Sequence, residues 1–224
     1  MEKIKFRERP MPDYTKGEEI FNMASHIVGG AFGIVTLVLT VVFSAIYNNA
    51  WAVVSSAIYG SAMILLYTVS SIYHGLHMNM GKRVMQVIDH CTIYVLIAGT
   101  YTPVALCPIR EYSTAWGWVL FGIVWGLAAL GITFTAIDMK KFEKFSMVLY
   151  LGMGWCVLMA AKPTLASVPL PGVIWILLGG IAYTAGAVAF IIGKKRRYMH
   201  SVFHIFVVIG SILQFFGIFF YIVL

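Results

Sequence analysis

The chain has 224 residues, of which 60% are hydrophobic and only 11% charged, and it carries a net charge of +7. A water-soluble domain has about 25% charged residues, so this composition excludes one and places the chain in a lipid bilayer. A nucleic-acid partner is excluded as well, because the Lys and Arg residues fall in short breaks between apolar runs, where they orient a membrane protein.

Residues 1–19, MEKIKFRERPMPDYTKGEE, are polar and mixed in charge, and read as a cytoplasmic tail ahead of a transmembrane domain over 20–224. The apolar run that follows is too long for a cleavable signal. A spanning helix needs about 20 mostly apolar residues. Runs of that kind lie at Phe21–Tyr47, Trp51–Tyr73, Val84–Leu106, Ala115–Ile137, Phe145–Ala161, Pro171–Gly193 and Tyr198–Leu224. The expected fold is an all-α seven-transmembrane bundle. The breaks between the runs, such as HMNMGKR, PIREYS and KPTLASVPLP, are too short for a further soluble domain.

Of the 16 Lys and Arg residues, only Arg110 and Lys162 fall on the side opposite the N-terminal tail. By the positive-inside rule the N-terminus is cytoplasmic and the C-terminus outside, the reverse of a G-protein-coupled receptor, in a multi-pass protein of the plasma membrane. Cys91, Cys107 and Cys156 are scattered singly in apolar runs and read as packing residues rather than a disulfide framework. The small residues of GGAFG, YGSA and LLGGIAYTAGA read as helix-packing surfaces, and Pro103 as a kink in the third helix.

Asp89 is the one acidic residue inside a predicted span, and an intramembrane carboxylate is costly unless paired, hydrated or protonated. The second span ends in YTVSSIYHGLH, where Ser70 and His74 are one helical turn apart. The last span begins MHSVFH, so His200 and His204 have the same spacing and aim two imidazoles at one point. Topology puts His74, Asp89, His200 and His204 at a similar depth near the cytoplasmic side.

Three neutral imidazoles with an open fourth position suit Zn²⁺, whose bound water is acidified and can pass a proton to a neighbouring carboxylate. Asp89 is the candidate base and Ser70 its hydrogen-bonding partner. His77 and His90 are alternative ligands, and His26, with Asn22, reads as a packing or interfacial residue. A retinal protein is excluded, since the last span contains no lysine. Haem is disfavoured, because an i, i+4 histidine pair suits a compact metal better.

Taken in order, the S-x-x-x-H of Ser70 and His74, the Asp of VIDHCTIYVLIAGTYTPV and the H-x-x-x-H of MHSVFHIFVVIGS resemble the hemolysin III family. That family belongs with the progestin and adiponectin receptors and, more distantly, the alkaline ceramidases. The resemblance covers nearly the whole chain and implies zinc held by His74, His200 and His204, with Asp89 and Ser70 beside the zinc-bound water. It also implies hydrolysis of a lipid-like amide drawn from the membrane. A receptor with structural zinc and a pore-forming cytolysin are the alternatives.

Orientation is open to a direct check in a variant whose three native cysteines are replaced by Ala. A cysteine at Ser113 should react with a membrane-impermeant maleimide in intact cells, and one at Lys141 only after permeabilisation; the opposite pattern would invert the topology.

Overall fold

The computed structural model describes residues 11–193 and 196–224. Lys3, Lys5, Arg7, Arg9, Lys194 and Lys195 of the basic set lie outside the described residues. Seven helices are long and apolar enough to cross a membrane: α1 Lys16–Tyr47, α2 Ala50–Gly75, α3 Met80–Tyr112, α4 Thr114–Asp138, α5 Glu143–Ser167, α6 Leu170–Ile192 and α7 Met199–Val223. The protein is an all-helical, multi-pass membrane protein, with no strand among the described residues.

Helix starts are written in the short polar breaks. Thr15 caps α1 in a capping box, its hydroxyl accepting the Glu18 N–H while the Glu18 carboxylate accepts the Thr15 N–H. Asn49 caps α2 by accepting from the Trp51 and Ala52 amides, and Asn79 caps α3 by accepting from the Lys82 amide. The first cap lies inside the stretch expected to be a polar tail, so Glu18 and Glu19 are helical.

Two stretches expected to be loops are also helical. Pro103 and Pro108 have no amide hydrogen, and α3 absorbs this by widening to a π turn over Ala105–Ile109 and then continues through Tyr112. In α5 a 3₁₀ stretch at Cys156–Ala160 leads into Ala161–Ser167. There Pro163 occupies the first turn, where an amide would have no intrahelical acceptor.

α1 is polar on its buried side and apolar outside. The buried stripe of α1 is Glu18, Asn22, His26, Gly29, Gly33, Thr36, Thr40 and Ser44, whereas Ile27, Val28, Ile34, Val38 and Ile46 face outward. Lipid offers no hydrophobic reward for burying those apolar side chains, so close packing and hydrogen bonds hold the bundle instead. α1 packs along α2 and against α7, α2 against α3, α3 against α4, and α6 along α7. α3 is the most enclosed.

Hydrogen bonds cross these seams: Ser44 to Ser56 at 3.0 Å, Tyr67 to Ser211 at 2.7 Å, and Gln214 to the Ile176 carbonyl at 3.0 Å. Glycine sets the closest approach. A Cβ on Gly60 would stand 2.6 Å from the Leu37 Cα, which is backbone and cannot yield.

Gly60→Ala should therefore destabilise the purified protein by about 1–3 kcal/mol, read as a fall in Tm in detergent. Gly126→Ala, with nothing within 4 Å of the added methyl, should leave Tm unchanged.

Candidate metal centre

Three helix ends meet at the end of the bundle where α1 begins. α2 delivers His74 in its last turn and α7 delivers His200 and His204 in its first two turns, all three buried. One ligand atom from each of the three lies within 4.8 Å of the others. The two helices were legible from their i, i+4 spacings, but their convergence is a property of the fold.

The donor chemistry fits a metal ion. His200 Nε2 and His204 Nε2 face each other at 3.1 Å. Two imidazole lone pairs so placed repel unless a proton or a cation lies between them. A tetrahedral zinc ion with bonds of about 2.0–2.1 Å separates its nitrogen ligands by about 3.4 Å, close to that spacing. His74 Nε2 is buried and has no hydrogen-bond partner, which leaves its lone pair for the same point.

The other nitrogen of His74 is held. Its Nδ1 lies 2.6 Å from Glu19 Oε2, and the second oxygen of Glu19 accepts from Lys82 Nζ at 2.7 Å. By sequence Lys82 is an orienting charge in an interhelical loop; in the structure it lies in the first turn of α3 and its side chain turns inward, buried. Glu18, beside Glu19, accepts the Tyr198 backbone N–H at 2.6 Å, immediately before α7. Tyr198 has a left-handed φ of 62°, which starts α7 at the angle that carries His200 and His204 inward.

Hydropathy assigned both glutamates to the tail. The T-x-x-E of Thr15 and Glu18, and the spacing of Glu18, Asn22 and His26 along one helix face, are the signals that could have placed the start of α1 there.

Ser70 and Asp89 line the same cavity as His200 and His204. The alternative ligands do not join the cluster. His77 is exposed in the turn after α2, and His90 directs Nδ1 to the Gln86 carbonyl at 2.8 Å, 3.6 Å from Asp89. His26, expected to pack or lie at the interface, is buried against the site with its ring on that of His204 at 3.8 Å. Neither of its nitrogens has a hydrogen-bond partner, and the same is true of the Asn22 side chain one turn earlier.

Tyr14 closes the centre from the α1 end, its ring stacked on His200 at 4.9 Å. Burial pushes its phenol pKa up, and the charges of Glu19, Asp89 and Glu18 push it in the same direction, so the hydroxyl keeps its proton.

A cavity of about 640 Å³ runs from this centre into the bundle. Its deeper wall is largely apolar, with Leu66, Leu96, Val157, Ile176 and Val207, and Arg83, Lys140, Arg196 and Arg197 stand at its basic end.

Comparison with known proteins agrees with the sequence resemblance. The Haemolysin-III related family model matches residues 14–215. The chain is 41% identical over 208 residues to the hemolysin-3 homolog of Bacillus subtilis (strain 168), covering 93% of this chain and 96% of that one. It is 37% identical over 205 residues to hemolysin-3 of Bacillus cereus, covering 92% of each. It is also similar, at 23% identity over 182 residues covering 76% of this chain and 71% of the other, to human monocyte to macrophage differentiation factor.

Metal analysis of the purified protein after loading with a divalent transition metal should give about one ion per chain. His74→Ala, His200→Ala and His204→Ala should each lose it, while His77→Ala and His90→Ala should retain it.

Proposed function

The chain belongs to the Haemolysin-III related family, and from that premise we propose that it is a zinc-dependent membrane hydrolase acting on a lipid-like amide. The observation that carries this reading is a buried set of three histidines opening onto a largely apolar cavity that also holds a carboxylate. A site serving stability alone more often closes with a fourth protein ligand, and no fourth His, Cys, Asp or Glu joins this cluster among the described residues.

In this reading His74, His200 and His204 hold the ion. Zinc, when bound there, polarises a carbonyl and makes water acidic near neutral pH. Asp89 takes the proton from the attacking water and returns it to the leaving amine, the reciprocal duty of one acid–base group in acyl transfer. Ser70, on the wall of the same cavity, serves in this reading as the hydrogen-bonding partner of Asp89. The cavity seats the acyl chain against Leu66, Leu96 and Val207, and so places the amide beside the histidines. Tyr14 over His200 limits bulk water at the site, and its protonated hydroxyl is available as a hydrogen-bond donor to a developing oxyanion.

A second reading comes from the relatives named hemolysin-3, for which lysis of a target membrane would be the activity. A third is a receptor whose zinc only ties α2 to α7.

The deciding measurement is turnover of a panel of N-acyl lipids by zinc-loaded protein in detergent. Asp89→Asn should retain zinc and lose at least about 100-fold in kcat. Zinc binding without turnover, coupled to a lower Tm in His200→Ala, would favour the receptor. Dye release from liposomes that survives removal of all three histidines would favour the cytolysin.

A further inference from the structure

Lys82, in the first turn of α3, is a buried lysine. Its ammonium donates to Glu19 Oε1 at 2.7 Å and to the Leu76 carbonyl at 2.9 Å, and it lies 5.1 Å from the centre of the Tyr73 ring. Taking an ammonium out of water costs several kcal/mol unless its donors are matched. These contacts match them, and all lie within two residues of His74 or on the carboxylate that grips His74.

An imidazole offers one lone pair, and the hydrogen bond made by its other nitrogen decides which. With Glu19 Oε2 at 2.6 Å, the proton of His74 sits on Nδ1 and the lone pair on Nε2, the buried atom that has no other partner. A glutamate held at one oxygen can still swivel about its side-chain torsions. Lys82 takes the second oxygen, fixing the carboxylate plane, and by binding Leu76 it also holds the end of α2 that carries His74. The three groups come from α1, α2 and α3, so the arrangement exists only when those helix ends are assembled.

We infer that Glu19 and Lys82 are positioning residues for the metal ligand His74, with Lys82 acting through Glu19. This rests on the three-histidine metal reading above and is independent of whether the protein hydrolyses anything.

The test is zinc affinity of the full-length protein in detergent, measured by competition with a chromophoric chelator, for wild type, Glu19→Gln, Lys82→Met and the double variant. Loss of such a ligand-orienting partner costs about 10–100-fold in metal affinity, the drop expected for Glu19→Gln. Lys82→Met should give a smaller drop, and the double variant should match Glu19→Gln alone, because a residue acting through another adds nothing once that other is gone. Each variant's rise in Tm on adding zinc, measured against its own metal-free form, should shrink in step. A merely structural role would lower the metal-free Tm and leave the rise intact. Glu19→Gln affinity within about twofold of wild type, or a Lys82→Met effect equal in both backgrounds, would overturn the inference. If Glu19→Gln is not recovered folded, unchanged affinity in Lys82→Met alone overturns it. A wild type that binds no zinc removes the metal reading itself and this inference with it.

Discussion

A side chain that must hydrogen-bond has nowhere to go in this molecule but inward. The outer faces of α1 to α7 are apolar and meet lipid, so Asn22, His26, Ser44, Ser70, His74, Lys82, His200 and His204 are all buried. With no water in the hydrocarbon region, partners for such groups can come only from the protein itself or from what it binds. That one constraint collects the polar groups of separate helices into a few places. At the end where α1 starts, it gathers three imidazoles, two glutamates and a lysine around a common point.

Close helix contacts add to an apolar core that includes Met63, Leu66, Leu96, Phe215 and Ile218. Gly29 lets the ring of Tyr67 pass, and Gly60 lets α2 touch the backbone of α1. Tyr67 then reaches Ser211 on α7, so packing and hydrogen bonding reinforce one another along the α1, α2 and α7 seam. The histidines occupy one end of that seam, which gives their rigid spacing a cause in helix packing.

How much of this was legible follows from what each signal measures. Apolar run length responds to the bilayer, and it located all seven spans. The i, i+4 spacing responds to a helix face, and it singled out His74, His200 and His204. A hydropathy average does not respond to whether a charge has a partner, so Lys82 read as a loop cation and Glu19 as part of a tail. Only the positions of three helix ends relative to one another reveal that these two charges meet. PIREY and KPTLAS read as breaks because their polar residues interrupt the apolar runs, whereas a π turn and a first helical turn carry their prolines without ending the helix. His26 could not be placed beside His204 from sequence, since nothing in α1 specifies which side of α7 it meets.

The two neighbouring glutamates divide their duties, Glu18 holding the start of α7 and Glu19 the ring of His74. Residues next to each other on a helix point about 100° apart, so this division is a matter of phase. Glu19 and His26 are seven positions apart, two turns, which keeps both on the same side of α1. One residue inserted between them would swing the carboxylate to another side of the helix and leave the chain's hydropathy profile almost untouched. In this stretch the count of residues carries more information than their kind.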